Sequence, residues 1–263
     1  MKLGFIGCGN MATAIMKGMI RNGVSAAHEI IGADSSEQSL NKIKEELQIQ
    51  ITADNKEAAQ AEVLFLSVKP QFYETVINEI KEVITKEQLI VTIAPGKTLE
   101  WLGRQFGRSL KIIRTMPNTP ALVGEGITAV CCNENVTEED LNKAIGMIQS
   151  FGKCEVVPEH LMDVVTSVSG SSPAYVFMFI EAMADAAVAD GMSRNQAYKF
   201  AAQAVLGSAK MVLETGKHPG ELKDMVCSPG GTTIEAVRVL EEKGMRSAIF
   251  EAMKACTKKA KGM

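Results

Sequence analysis

The chain has few of the histidine and cysteine ligands that zinc prefers, and it has no large excess of charge of either sign. It has three histidines among 263 residues, and its six cysteines include no Cys-x-x-Cys pair. A zinc site needs several such ligands at close spacing, so we expect no metal. The 28 basic and 31 acidic residues leave a net charge of −3. That charge gives no electrostatic reason to expect nucleic acid or an anionic membrane as a partner, so we expect a small ligand.

Long apolar runs and a signal-peptide pattern are also missing from the sequence. No uninterrupted apolar run approaches the ~18 to 20 residues that a bilayer-spanning helix needs, and no N-terminal apolar segment ends in a cleavage site. We therefore expect a cytoplasmic protein without a membrane partner, whose cysteines are reduced thiols. The length is sufficient for two domains, each with its own core.

The first dozen residues contain the most informative motif of the chain. A short apolar strand, predicted over Leu3–Ile6, runs directly into Gly7-x-Gly9-x-x-Ala12, and helical spacing follows at once. This order is typical of a dinucleotide-binding loop, in which Gly7 permits the tight turn and Gly9 lets the backbone approach a pyrophosphate. Cys8 is expected to present only its backbone there. The alternative is a glycine turn in another kind of α/β unit.

An acidic residue, Asp34, stands at the end of the second predicted strand, residues 29–33. A carboxylate at this point accepts hydrogen bonds from the adenosine ribose hydroxyls of NADH and repels the 2′-phosphate of NADPH. Ser35 and Ser36 follow and could donate to a phosphate instead, and Asp34 could also point into solvent. We expect NADH to be used well.

Strands and helices alternate through the first part of the chain. Strands are predicted at 3–6, 29–33, 50–52, 63–68, 89–94 and 110–115, then at 126–132 and 154–157. This alternation predicts a doubly wound, mostly parallel sheet of the Rossmann type, whose ligands bind beyond the carboxyl ends of the strands. The residues placed along that rim are Asn10, Asn55, Val68, Lys69, Ala94 and Asn118. Each of these residues, considered alone, is equally consistent with an ordinary loop residue that contacts no ligand.

After Pro158 the pattern becomes entirely helical. Helices are predicted at 160–169, 172–190, 194–215, 219–226, 232–242 and 246–259, and Gly191, Gly216 and Gly244 are expected to end three of them. We therefore divide the chain into a dinucleotide-binding domain, 1–158, and a helical dimerisation and substrate domain, 159–263. The alanine-rich helices carry so much apolar surface that this half is expected to form a dimer.

One loop of the helical part has more glycine and hydroxyl groups than a simple turn requires. Thr232-x-x-Glu235 is interpreted as a capping box, which explains those two residues. It leaves Ser228, Gly230 and Gly231 unexplained. Glycines before a helix N-terminus, flanked by hydroxyls, can form an anion cradle suited to a carboxylate, and a structural turn is an equal alternative.

Motifs along the whole chain, in the same order, resemble those of the pyrroline-5-carboxylate reductase family. They are Gly4-Phe5-Ile6-Gly7, Val68-Lys69-Pro70, Met116-Pro117-Asn118-Thr119-Pro120, Ser171-Ser172-Pro173-Ala174-Tyr175, His218-Pro219-Gly220-Glu221 and Ser228-Pro229-Gly230-Gly231-Thr232-Thr233. The resemblance implies reduction of 1-pyrroline-5-carboxylate to L-proline by NADPH or NADH, the last step of proline biosynthesis. It also implies a homodimer with interleaved helical domains, which often assembles further into a decamer of five dimers.

By that resemblance, the cofactor and the substrate contact two separate sets of positions. The cofactor positions are Ile6, Gly7, Cys8, Gly9, Asn10, Met11, Asp34, Asn55, Val68, Lys69, Ala94 and Asn118. The substrate positions are Glu159, Ser228, Gly231, Thr232 and Thr233. Thr233 ends the family's substrate loop and is expected to be the catalytic residue that hydrogen-bonds the imine nitrogen. Pro95, Met225 and Cys227 depart from the residues that many members have, so polar contacts there are not carried over.

Two other functions compete with this interpretation. The 3-hydroxyacid dehydrogenases share a similar Gly-Phe-Ile-Gly opening and a helical second domain, but their lysine-bearing motif is not found here. A nonenzymatic dinucleotide-binding sensor would keep the fold and lose the chemistry, and the intact loop from Ser228 to Thr233 argues against it. Oxidation of NADPH and NADH with five- and six-membered cyclic imines distinguishes these alternatives.

Overall fold

The protein, described here by a computed structural model over residues 2–262, divides into two compact units. The first comprises Met1–Ser171 together with Cys256–Met263, and the second comprises Ser172–Ala255. The boundary predicted at 158/159 differs from this division, because the helical residues 159–171 and the last residues of the chain group with the sheet.

The first unit is built on one eight-stranded sheet, in the order β3-β2-β1-β4-β5-β6-β7-β8. The strands are β1 Leu3–Ile6, β2 Ile30–Ala33, β3 Gln50–Thr52, β4 Val63–Leu66, β5 Leu89–Thr92, β6 Lys111–Met116, β7 Gly126–Cys132 and β8 Gly152–Val156. All neighbouring pairs are parallel except β6 and β7, which are antiparallel. The predicted doubly wound, mostly parallel sheet is confirmed.

Helices cover both faces of this sheet. They are α1 Asn10–Arg21, α2 Glu37–Leu47, α3 Asn55–Ala58, α4 Tyr73–Ile80, α5 Leu99–Phe106, α6 Glu138–Ile148 and α7 Met162–Val165. Their ends follow local chemistry: Ser36, Thr98 and Thr137 each accept a backbone N–H of the helix that they precede. The predicted helix at 160–169 is a 3₁₀ turn, α7 and a π-helical turn over Thr166–Gly170.

Two apolar cores lie on opposite faces of the sheet, because successive strand residues point to opposite sides. On one face Phe5 of β1 and Phe65 of β4 stack with ring centroids 4.6 Å apart and pack near α1. On the other face Ile6 and Leu66 join residues of α4 and α5. The four residues of β1 are all buried, as those of a central parallel strand should be.

The second unit is entirely helical and has few buried side chains. It contains α8 Ser172–Ala189, α9 Arg194–Thr215, α10 Pro219–Val226, α11 Thr232–Glu242 and most of α12 Met245–Lys261. Gly191, Gly216 and Gly244 have positive φ at the ends of helices, as expected. The buried side chains of α8 and α9 are alanines, whereas Phe177, Met178 and Phe200 are each more than 60% exposed.

The stretch Glu159–Ala189, which is helical apart from a bend at Ser171, is long and apolar enough by length and composition to cross a membrane, with a mean hydropathy of 1.2. Asp163, Glu181 and Asp185 interrupt this stretch, so it contains no uninterrupted apolar run of membrane-spanning length. Length and composition do not distinguish a membrane helix from a helix that packs on a second chain.

Gly4 marks the closest approach between strand and helix in the first unit. A Cβ atom at Gly4 would lie 2.1 Å from the carbonyl oxygen of Ala58, which is backbone and cannot yield. We expect Gly4→Ala to lower the free energy of unfolding by about 3 kcal/mol through overpacking. Gly103→Ala is the control, because a Cβ there meets nothing within 4 Å and should stabilise α5 by about 0.5 to 1 kcal/mol. Denaturant unfolding measures the free energy of unfolding of both variants, and equal changes for Gly4→Ala and Gly103→Ala would contradict the steric explanation.

Candidate functional site

The loop between β1 and α1 requires glycine at its first position. Gly7 has φ of +95°, and a Cβ there would lie 2.7 Å from the backbone of Ser67 and Val68. Its N–H donates to the carbonyl of Ala33 at 2.8 Å, which ties the loop to the end of β2. The turn is therefore held against the carboxyl ends of both neighbouring strands, at the edge where ligands of such sheets bind.

The N-terminus of α1 is open to a ligand. Gly9 is the N-cap residue, it has no side chain to cap the helix, and a Cβ there would meet nothing within 4 Å. The first turn contains no acidic residue, so no side chain of α1 itself neutralises the positive end of the helix dipole, which the N–H groups of Asn10 and Met11 form. These features fit the pyrophosphate of a dinucleotide.

Asp34 is bonded to the glycine loop through its carboxylate. Oδ2 accepts the N–H of Cys8 at 2.7 Å, and Oδ1 accepts the N–H of Ser36 at 2.9 Å. The carboxylate therefore holds the loop at the end of β2 instead of pointing freely into solvent. Each oxygen has a second lone pair, so the predicted contact with ribose hydroxyls stays a prediction.

The thiol of Cys8 is buried, with 5% of the residue exposed, and lies 3.5 Å from the carbonyl oxygen of Ala33. Burial, and then the negative charge of Asp34, raise the pKa of Cys8 to about 12. The thiol is therefore neutral at pH 7 and unsuited to nucleophilic attack. That position 8 presents only its backbone to a ligand stays a prediction.

The rim beyond β4 and β5 combines buried and exposed positions. Val68 is half-buried, Lys69 is exposed and Ala94 is 3% exposed. The hydroxyl oxygen of Ser67, just before them, is buried and has no hydrogen-bond partner within residues 2–262. An unpaired buried hydroxyl next to the Gly7 turn is a further polar group at the edge predicted for the cofactor.

Two of the three rim asparagines, Asn55 and Asn118, are already engaged with protein groups. Asn55 donates from Nδ2 to the carboxylate of Glu79 at 2.9 Å. Asn118 is 7% exposed, donates from Nδ2 to the carbonyl of Ser169 at 3.1 Å and accepts the N–H of Ile127 at 2.9 Å. The side chain of Asn118 thus fastens the loop after β6. Its second amide hydrogen and second lone pair are not used by these bonds, so the predicted contact with a cofactor stays a prediction.

Glu159 takes part in an ion pair that the sequence did not reveal. Its Oε1 accepts the backbone N–H of Leu99 at 2.7 Å and the guanidinium of Arg114 at 3.0 Å. Arg114 is 5% exposed as a residue, and Asp163 lies 4.0 Å from its other terminal nitrogen. Glu159 therefore caps α5 and balances a buried cation. The available signal was an arginine in the middle of the apolar run that forms β6.

The predicted substrate loop lies in the second unit. Gly230 has φ of +66°, and Gly231 donates its N–H to the carbonyl of Ser228 at 3.0 Å. A Cβ at Gly231 would lie 2.3 Å from the hydroxyl oxygen of Ser228, so a larger residue would displace that hydroxyl. Thr232 is exposed and Thr233 is half-buried at the start of α11.

The predicted capping box at Thr232 and Glu235 is wrong. The N-cap residue of α11 is Gly231, without a side-chain bond, and Thr232 is already helical. The carboxylate of Glu235 accepts instead from Arg238 at 2.8 Å. A charged guanidinium one turn away is the stronger partner, and the first N–H groups of α11 therefore keep no side-chain cap.

Family models match both parts of the chain. Residues 159–263 match the model described as pyrroline-5-carboxylate reductase dimerisation. Residues 2–96 match the model described as NADP oxidoreductase, coenzyme F420-dependent.

Individual proteins are similar over nearly the whole length. Pyrroline-5-carboxylate reductase of Escherichia coli is 55% identical over 98% of this chain and 97% of its own. A solved pyrroline-5-carboxylate reductase from Coxiella burnetii has a TM-score of 0.90 and 35% identity, covering 99% of this chain and 97% of its own. The Plasmodium falciparum pyrroline carboxylate reductase, solved with NADP bound, has a TM-score of 0.91 and 32% identity, covering 99% of this chain and 97% of its own.

Asp34 offers a direct test of the adenosine end of the site. We expect Asp34→Ser to shift the ratio of dissociation constants toward NADPH by about fivefold, and by more at low salt, because removing a like charge at a partly exposed position is worth about 1 kcal/mol. Asp34→Asn should give the same shift with less loss of NADH affinity, since its amide oxygen still accepts one loop N–H.

The control is Glu37→Gln, which removes a neighbouring charge at the start of α2 that makes no bond to the loop. Titrations at two ionic strengths measure all four proteins. An unchanged ratio at both would remove Asp34 from the ribose site.

Proposed function

The chain belongs to the pyrroline-5-carboxylate reductase family, and on that premise we propose how its residues act. It reduces 1-pyrroline-5-carboxylate to L-proline with NAD(P)H. The observation that carries this activity is 55% identity with the Escherichia coli enzyme over nearly the entire chain. Oxidation of NADPH and NADH by the purified protein, with the five-membered and the six-membered cyclic imine in parallel, tests the activity and the ring size.

The first unit holds the cofactor in this proposal. The N–H groups at the start of α1 and the glycine loop bind the pyrophosphate, and the backbone at Val68, Lys69 and Ala94 borders the rest of the molecule. The bound NAD(P)H supplies the hydride. The open helix start at Gly9 and the unpaired hydroxyl of Ser67 support this placement.

The loop from Ser228 to Thr233 binds the substrate carboxylate. Its support is the uncapped start of α11, the tight turn at Gly230 and Gly231, and the exposed Ser228, whose hydroxyl lies beside that turn. N–H groups at a helix start and free hydroxyls suit an anionic oxygen. Arg238 pairs with Glu235, which lowers the repulsion that a carboxylate in this first turn would cause.

Thr233 hydrogen-bonds the imine nitrogen in this mechanism. An imine accepts hydride best when it is protonated, so one hydride added to the carbon and one proton held on the nitrogen give the amine. The step needs no covalent intermediate and no metal. His218 is not the proposed acid, because its Nδ1 accepts the N–H of Gly220 at the start of α10.

Glu159 is a substrate position by family resemblance, and its contacts suggest how it acts. Its carboxylate already accepts from Leu99 and Arg114, so we propose that it orders the start of α5 and the turn before it. That turn contains Ala94 and Pro95, which follow β5. Glu159 would then affect the reaction through the cofactor side of the site.

The helical half forms a homodimer. The segment 159–263 is the family's dimerisation domain, and we propose the boundary at 158/159 on that basis. The groove between α8 and α9, with a volume of about 530 Å³, is lined almost wholly by apolar groups, including Phe179, Met183 and Val205. A second copy is the proposed occupant, because it offers the same apolar helices in return. Assembly of five dimers into a decamer is proposed from the family resemblance.

We propose a cytoplasmic location and no membrane or nucleic-acid partner. The near-neutral charge and six cysteines that are all free thiols support this. The dimer also accounts for the apolar exposed surface within Glu159–Ala189 without a bilayer. The 3-hydroxyacid dehydrogenase and sensor alternatives are not retained, since neither explains the 55% identity.

Thr233→Val removes the proposed contact to the imine nitrogen while keeping the shape of the side chain. Loss of a hydrogen bond to a charged group costs about 1.5 to 3 kcal/mol, so kcat/KM should fall about 10- to 150-fold. Thr215→Val is the control, because the hydroxyl of Thr215 donates to Met211 inside α9 at 2.6 Å. An unchanged kcat/KM in folded Thr233→Val would exclude Thr233 from the site.

Phe179→Glu places a charge in the apolar groove of the helical unit. We expect the dimer to weaken or dissociate at micromolar concentration, because a buried unpaired carboxylate opposes association. Val123→Glu is the control, since Val123 is 70% exposed in the first unit. Light scattering measures the molar mass of the wild type and of both variants. A monomeric wild type, or an unchanged mass for Phe179→Glu, would contradict the proposed interface.

A further inference from the structure

The strands β4 and β5 separate at the edge that carries the proposed cofactor positions. Leu66 and Thr92 are register partners, and the last bond between the two strands runs from the N–H of Ile93 to the carbonyl of Leu66 at 3.3 Å. Beyond it the chain continues as two loops, residues 67–69 and 94–97. Their mutual spacing is not held by any further bond of the β4–β5 ladder.

A tyrosine from α4 reaches this point of separation. Tyr73 is 1% exposed, and its hydroxyl donates to the carbonyl oxygen of Leu66 at 2.6 Å. That carbonyl therefore accepts two hydrogen bonds, one from β5 and one from α4. A short buried hydrogen bond of this kind fixes the end of β4 against the helix that follows it.

The surroundings of Tyr73 also keep its hydroxyl available as a donor. Burial raises the pKa of Tyr73, and the backbone N–H groups of Ile93 and Ala94 oppose that shift only in part. The phenol therefore stays protonated throughout the physiological range. The hydroxyl shares the Leu66 carbonyl with the N–H of Ile93, which directly precedes the 94–97 loop. Tyr73 also belongs to the same buried apolar cluster as Ala94.

We propose that Tyr73 is a positioning residue for the dinucleotide, holding the loops 67–69 and 94–97 at the spacing that the cofactor needs. The inference rests on the proposed function, because those loops are cofactor positions only in that assignment. Tyr73 acts through the backbone and does not itself touch the cofactor. Without its hydroxyl the loops would be less ordered, and binding would have to restrict them.

Tyr73→Phe removes only the hydroxyl and is the variant to test. We expect the KM and the dissociation constant for NAD(P)H to rise about three- to tenfold, because this is the change in affinity that corresponds to the net free energy of one hydrogen bond. At saturating cofactor, kcat and the KM for the cyclic imine should stay within about twofold. Trp101, the only tryptophan, lies on α5 directly after the second loop and gives a fluorescence signal for cofactor binding.

The matched control is Ser150→Ala. The hydroxyl of Ser150 is also buried and also donates to a backbone carbonyl, that of Met147, at 2.6 Å, but it lies after α6 and away from both loops. Ser150→Ala should lower the melting temperature about as much as Tyr73→Phe does, and it should leave the dissociation constant for NAD(P)H unchanged. A purely structural role for Tyr73 would give the same result as Ser150→Ala, and that outcome would overturn the proposal.

Two further outcomes are decisive. If Tyr73→Phe is too unstable to titrate at 25 °C, its dissociation constant for NAD(P)H is measured at a lower temperature beside that of Ser150→Ala, and equal constants for the two variants would refute the clamp. If the wild type binds NAD(P)H but does not reduce the imine, the proposed function fails. The effect of Tyr73→Phe on the dissociation constant still tests the positioning role in that case.

Discussion

The arrangement of the first unit depends on a close backbone contact at Gly7. The loop after β1 passes so near the end of β4 that a Cβ at Gly7 would lie 2.7 Å from Ser67 and Val68. This contact directs the chain into α1 with an open helix start, and it places the N–H of Cys8 where Asp34 can accept it. A side chain at position 7 would move the helix start away from the edge where the cofactor is proposed to bind.

Charge inside the first unit is placed where backbone groups need partners. Asp34 accepts two loop N–H groups, and Glu159 accepts the first N–H of α5 together with the buried guanidinium of Arg114. In both cases a carboxylate links a strand end or helix start to a distant part of the chain. Buried or half-buried charges are tolerated because each has hydrogen-bond partners. The carboxylates of Asp34 and Glu159 therefore hold the loops around the site in place and also contribute negative charge there.

The second unit follows a different principle. Its helices pack through alanines, which leaves large apolar side chains such as Phe177, Met178 and Phe200 exposed on the single chain. Clustered exposed apolar side chains are typical of an interface, and a second copy covers them in the proposed dimer. Fold and assembly are thus coupled in this half, whereas the sheet of the first unit has complete cores on both faces.

The sequence alone determined the order of strands and helices, the glycine loop and the helical second half, because apolar periodicity and glycine spacing are local properties. It did not determine the direction of β7, since a strand pattern is the same in both directions. Tertiary structure also decided what the polar side chains do: Asp34 binds the loop backbone, Asn118 binds Ser169, and Glu235 pairs with Arg238 instead of capping α11. Arg114 and Tyr73 gained their roles only from the fold, because their partners Glu159 and Leu66 come from other elements. A hydrogen bond or ion pair depends on distances in space, and these are set by packing and not by spacing along the chain.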